Sequence, residues 1–152
     1  MEAFAAAGAG FLLAVLWFDL MHDEMARGHD GDALPDPVIE GVTRYYAQVT
    51  RGASPMSRLV GLAMVGLLAA LVTQIVAGHD PPWVAIASLP LALIGIVTAI
   101  ARTVPTAVRL GAGEFPEPDA ASRAIRTIRT DHHVAFGAMA AVLVIQLVSA
   151  AS

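Results

Sequence analysis

The stretch AVLWFDLMHDEM, Ala14 to Met25, sets Asp19 inside an apolar run and follows it within a turn by His22, Asp23 and Glu24. On a helix His22 lies at i+3 and Asp23 at i+4 from Asp19, so all three share a face. A second polar group, Asp131, His132 and His133, opens another apolar stretch, and Arg58 and Arg102 stand at the edges of two more. An aspartate, an imidazole and an arginine at one depth suit several chemistries. His132 or His22 can serve as a base oriented by Asp19, with Arg102 stabilising an oxyanion, which fits a lipophilic, acidic substrate arriving from a bilayer. The catalytic candidates are therefore Asp19, His22, Arg102 and His132. Imidazole and carboxylate donors also suit iron, zinc or copper, or a haem, with Asp19, His22, Asp131, His132 and His133 as the ligand candidates. The plainest reading is an ion-pair lock, Asp19 with Arg102 or Arg58 and Asp131 with Arg129 or His22, which fixes helix register. Proton or ion movement is the weakest, because only Thr98, Thr73 and Gln74 continue a polar path toward the other end.

The elements that position these residues follow from composition. The 152 residues are 57% hydrophobic and 14% charged, with a mean hydropathy of +0.66. Soluble domains carry nearer about a quarter charged residues. Crossing roughly 30 Å of hydrocarbon takes about 20 apolar residues. Four segments meet that length, at about residues 3–22, 59–77, 83–101 and 134–151, and they are apolar on every face, unlike the helices of a soluble bundle. The expected fold is an all-α integral membrane four-helix bundle, one four-span domain over 1–152. The flank Met-Glu lacks the positive n-region of a signal peptide, so the first span is read as uncleaved.

All nine basic residues are arginine; four lie between the first two spans and five around the loop between the last two, while the GHDPP connection holds none. The positive-inside rule then places both long loops in the cytoplasm and both termini outside. The richness in Ala, Val, Leu and Arg suggests a bacterial inner membrane. The absence of cysteine excludes disulfides and thiolate sites. A net charge of −4 argues against nucleic acid as a partner, leaving the lipid bilayer and a homo-oligomer or larger membrane complex.

The loops carry structure too. Asp36 and Pro37 start a helix whose Val38, Ile39, Val42, Tyr45, Tyr46 and Val49 recur on one face. That helix either lies along the membrane with its aromatics at headgroup level or packs over the bundle mouth. GHDGD, Gly28 to Asp32, reads as a solvated turn. Asp119 caps a helix that runs on into the fourth span, where Arg123, Arg126 and Arg129 form a stripe facing lipid phosphates or an acidic neighbour. Pro90 and Pro105 are expected to bend or end the third helix.

The order of four spans, with TVPTAVRL (Thr103 to Leu110) after the third and IRTIRTDHHVAFGAM leading into the fourth, resembles the small bacterial four-helix membrane proteins of the anthrone-oxygenase-like family. That resemblance implies oxygenase-like chemistry on a lipophilic substrate and marks Arg109, Arg129 and His132, the two arginines as cofactor-binding candidates. Beside it stands the leading reading, a multi-pass membrane protein serving as a non-catalytic subunit or scaffold, with the Asp/His/Arg cluster buried at the cytoplasmic mouth.

Overall fold

The computed structural model describes residues 1–29, 31–51, 54–78 and 81–151. Asp30 of the GHDGD turn and His79 and Asp80 of the GHDPP connection lie outside them. The chain is all α: α1 (Glu2–Asp23), a 3-10 turn (Glu24–Ala26), α2 (Asp36–Arg51), α3 (Ser54–Val76), α4 (Trp83–Thr98), a π turn (Ala99–Thr103), α5 (Val104–Gly111) and α6 (Pro118–Ala150). Four stretches, Glu2–Ala26, Pro55–Val76, Trp83–Gly111 and Pro118–Ala150, are long and apolar enough to cross a membrane. Phe4, Phe18, Leu62, Val76, Ile86 and Val97 are all more than half exposed, which in water would be costly and in lipid is not. The chain is a multi-pass membrane protein.

Polar contacts fix how the spans run. Ser149 hydroxyl donates to Glu2 at one end of the α1–α6 pair, and His132 meets Asp23 at the other, so the two helices are antiparallel. On α4, Ser88 accepts from Gln146 Nε2 at 3.0 Å and Arg102 reaches Asp131, which sets α4 antiparallel to α6 as well. Gln74 of α3 and Gln146 exchange amide bonds of 2.8 and 3.3 Å. Every member of this Gln–Gln–Ser group is buried and paired, as an apolar interior demands. The lower core, away from the arginines, is built of Ala5, Ala9, Leu12, Leu67, Ala70, Leu71, Ala92, Met139 and Val142, with small residues letting the helices approach closely.

A second core closes the arginine-bearing end. Val42 and Tyr46 of α2 pack with Ala107 and Leu110 of α5 and with Ala121, Ile125 and Ile128 of α6. α2 is therefore a helix seated over the bundle mouth, not one lying free on the membrane surface. Its tyrosines turn inward. α6 runs unbroken for 33 residues, well past the bundle proper, and so carries both cores. Leu34 N–H donates to Ser122 Oγ at 2.8 Å, tying the α1–α2 connection to this extension.

α4 does not end at Pro90 but widens into the π turn before Pro105. Proline has no N–H for the carbonyl of Ala101 four residues back, and its ring crowds that carbonyl. The wider turn relieves the clash, with Val104 N–H bonding Ala99 carbonyl instead. Such turns recur at functional sites. Here the result is that Arg102 and Thr103, consecutive in sequence, both reach Asp131.

Candidate functional site

Asp19 and Asp23 are one turn apart on the last turns of α1, and α2 meets them with two adjacent tyrosines. Tyr45 Oη donates to Asp19 Oδ1 and Tyr46 Oη to Asp23 Oδ1, each at 2.6 Å. Adjacent helical side chains diverge by about 100°, which is what lets neighbours reach carboxyls on successive turns. From α6, His132 places Nδ1 at 2.6 Å from the second oxygen of Asp23. Asp23 is fully buried, and its carboxylate accepts from two side-chain donors. A carboxylate can only accept, so Nδ1 carries a proton toward Asp23, and Nε2 stands 3.9 Å from Asp19 Oδ2.

Asp19 and His132 together form the polar corner of a cavity of about 110 Å³ whose other walls are mostly apolar. Leu12, Val15 and Leu16 line it from α1, Ile96 and Ala99 from α4 and the π turn, and Ala135 and Met139 from α6. Val60 and Met64 form the α3 side. α3 buries only Leu67, Ala70, Leu71 and Gln74, and none of residues 55–66 is buried. The cavity is thus bounded on that side by a helix half whose Val60, Ala63 and Met64 pack against the core only partly buried. An engineered cavity of about 150 Å³ holds benzene, so this smaller and partly open one takes a short branched chain or part of a single ring.

The other candidates lie elsewhere. Arg102 does not face the cavity; it grips Asp131 through Nε (2.8 Å to Oδ2) and Nη2, with Thr103 Oγ1 adding a bond of 3.1 Å. The ion-pair lock therefore exists with different partners from those expected: Arg102 takes Asp131, not Asp19, and Arg129 takes Glu24 at 3.1 Å. His22 stacks on the Tyr45 ring at 3.7 Å between centroids and turns Nδ1 to the Phe18 carbonyl. His133 sits on the exposed side, 3.1 Å from Glu24. Arg109 pairs with Glu114 at 3.0 Å and lies over the Phe115 ring, remote from the cavity lining. Of the arginine stripe, Arg126 donates to the carbonyls of His29, Gly31 and Asp32, and so closes the GHDGD turn against α6.

The metal-ligand set Asp19, His22, Asp131, His132 and His133 is not gathered. Among the described residues no three His, Asp or Glu side chains are placed to hold a metal ion. Asp131 is saturated by Arg102 and Thr103, His22 and His133 point away, and the cavity is far smaller than a haem. Among the described residues the donor set does not fit a metal or haem centre.

Asp23, Tyr45 and Tyr46 are the members that sequence reasoning passed over. Asp23 was visible at i+4 from Asp19; nothing in the pattern of α2 said that its tyrosines serve the acids of α1. Burial pushes both phenols well above the ordinary tyrosine range, and the facing carboxylates push the same way. These are the chain's only two tyrosines. An alkaline absorbance titration should therefore show no phenolate in the folded protein near pH 10, where free tyrosine ionises. Because the folded-state values are raised, the stability these phenols contribute is intact below about pH 10 and falls as pH rises beyond it, where the unfolded chain alone loses the protons. A phenolate band at about pH 10 with helicity retained would contradict the two bonds.

No family model, no curated protein and no solved structure matches the chain. What it shares with anthrone-oxygenase-like proteins is architecture, four long apolar helices.

Proposed function

We propose that the bundle binds a small lipophilic molecule carrying an ionisable hydroxyl and that His132 takes its proton. The observation that carries this reading is the cavity itself: an apolar pocket whose polar corner is the His132 imidazole with the Asp19 carboxyl 3.9 Å from its Nε2. The roles follow from the geometry. The cavity walls hold the apolar body, and His132 Nε2 accepts the proton. Asp23 fixes the tautomer and stabilises the imidazolium that forms. Asp19, within 3.9 Å of Nε2, orients the hydroxyl or receives the proton next. Tyr45 and Tyr46 keep both carboxyls in place. Under the charge rule this corner lies near the cytoplasmic face. The same cavity would seat the substrate that an oxygenase-like activity requires, for which architecture is the only support.

A scaffold role is the second reading. It is favoured by the completeness of the polar pairing: among the described residues no buried side-chain nitrogen or oxygen lacks a partner.

4-Nitrophenol separates the two, because its phenolate is yellow and its phenol is not. At a pH where the free probe is mostly protonated, protein in detergent should raise the phenolate absorbance saturably. His132→Phe, which keeps the ring volume and removes the base, should abolish the rise. Absence of saturable binding, or an unchanged rise in His132→Phe, would leave the scaffold reading standing.

A further inference from the structure

The pair Arg102–Asp131 and the cation Arg126 take no part in the cavity chemistry, yet they form a site of their own. Arg102, Arg126, Thr127, Thr130 and Asp131 line an open groove of about 260 Å³ on the outside of the bundle, between α6 and the π turn. Asp131 is buried while the Arg102 side chain is 59% exposed, so the carboxylate anchors a guanidinium that remains at the surface. It engages the Nε and Nη2 edge and leaves Nη1 outside the pair. Arg126 donates to the neutral backbone carbonyls of His29, Gly31 and Asp32. Among the described residues the lining of the groove carries two guanidinium groups and one carboxylate, an excess of positive charge.

What lies next to it along α6 says which anion fits. Arg123, Thr127, Thr130 and Val134 follow one another at i, i+4, i+7 and i+11, so they share a single face. Arg123, Thr130 and Val134 are exposed on it, and the apolar face continues through Gly137 to Val144, itself 59% exposed. From Val134 to Val144 is about 15 Å of helix, one leaflet's share of a hydrocarbon core of about 30 Å. The two threonine hydroxyls donate back to the carbonyls of Arg123 and Arg126, which leaves their oxygen lone pairs and methyls at the groove. A free phosphate would use the cationic end only. A molecule with an anionic head and a long apolar tail uses the whole face.

We infer that this groove is a binding site for one anionic phospholipid, its phosphate between Arg102 and Arg126 and an acyl chain along the Val134–Val144 face of α6. Arg102 holds the head because Asp131 fixes its direction, and Arg126 links the lipid to the loop that it closes. The inference is independent of the cavity and of His132.

The test is native mass spectrometry of the protein in detergent titrated with dioleoyl phosphatidylglycerol or dioleoyl phosphatidylcholine. The wild type should retain the anionic lipid preferentially at low stoichiometry. Thr127→Glu adds one negative charge to the groove and should weaken that retention about fivefold, the effect of roughly one charge at a membrane surface. Thr127→Gln should leave it nearly unchanged. Should Thr127→Glu fail to fold by circular dichroism, Thr130→Glu repeats the test at a more exposed position. Equal retention of the two lipids, or equal retention by the Glu and Gln variants, overturns the inference. So does complete loss of the preference in excess inorganic phosphate, which would make the groove a free-anion site.

Discussion

Asp23→Ala will destabilise the protein by about 2–6 kcal/mol, the cost of leaving two buried donors without their acceptor. The carboxylate is fully buried and accepts from Tyr46 Oη and His132 Nδ1, both at 2.6 Å. Alanine leaves two buried donors with nothing to bond, each costing about 1–3 kcal/mol, and opens a small void besides. The loss should appear as a large shift of the thermal or denaturant midpoint followed by circular dichroism in detergent. Asp23→Asn is the informative partner. Its amide keeps the volume and its oxygen can still accept from Tyr46, so the fold survives. The amide N–H₂, however, now donates to Nδ1, which moves the ring proton to Nε2 and removes the base from the cavity. Asp23→Asn should therefore stay folded and fail to raise nitrophenolate absorbance. A variant that stays folded and still takes the proton would show that Asp23 does not set the tautomer.

The residues differ in how far their sequence positions foretold this arrangement. The four spans were legible because a helix in lipid needs about 20 apolar residues and little else, and the chain contains four such runs. Depth was legible too. Counting 1.5 Å per residue puts Asp19, Arg102 and Asp131 at one level, and they are at one level. Azimuth was not. Whether Arg102 faces Asp19 or Asp131 depends on how far α4 has rotated by that point, and the π turn over Ala99–Thr103 changes that rotation with no trace in the hydropathy pattern. The amphipathic period of α2 identified an apolar face but not what lay beneath it, so it left open whether the tyrosines sat at headgroup level or packed over the bundle mouth. In the structure Tyr46 is buried at 2% exposure against Asp23. The cavity had no signature at all, since a space is a property of four helices together. It depends on how closely α3 packs along its length, and Val60, Ala63 and Met64, which pack only partly buried, are of the same apolar types as Leu67, Ala70 and Leu71, which are buried.

The placement of those tyrosines hangs on one atom that is absent. Gly111 ends α5 where it crosses α2, and a Cβ there would stand 2.7 Å from Ala47 N and from the Tyr46 carbonyl carbon, and 2.9 Å from Ala47 Cα. All three are backbone atoms of α2, which cannot swing aside as a side chain would. Gly111 sits in helix without a positive φ, so propensity alone would reward alanine by about 1 kcal/mol. The clash opposes that gain, and overpacking against rigid neighbours costs about 1–3 kcal/mol or more. Gly111→Ala should therefore be net destabilising and should push α2 off the bundle mouth at Tyr46. The expected readout is specific: phenolate absorbance returning toward the ordinary tyrosine range in a chain that remains helical, and nitrophenol binding weakened with it. Gly95→Ala is the matched control. The nearest atom there is the terminal methyl of Met139 at 2.9 Å, which can rotate away, and α2 is not involved. If Gly111→Ala loosens the tyrosines and Gly95→Ala does not, the seat of α2 on α5 is what holds the two carboxyls of α1 in register with His132. If both leave the tyrosines silent, α2 is held by its other contacts, and Gly111 is a packing detail of the second core.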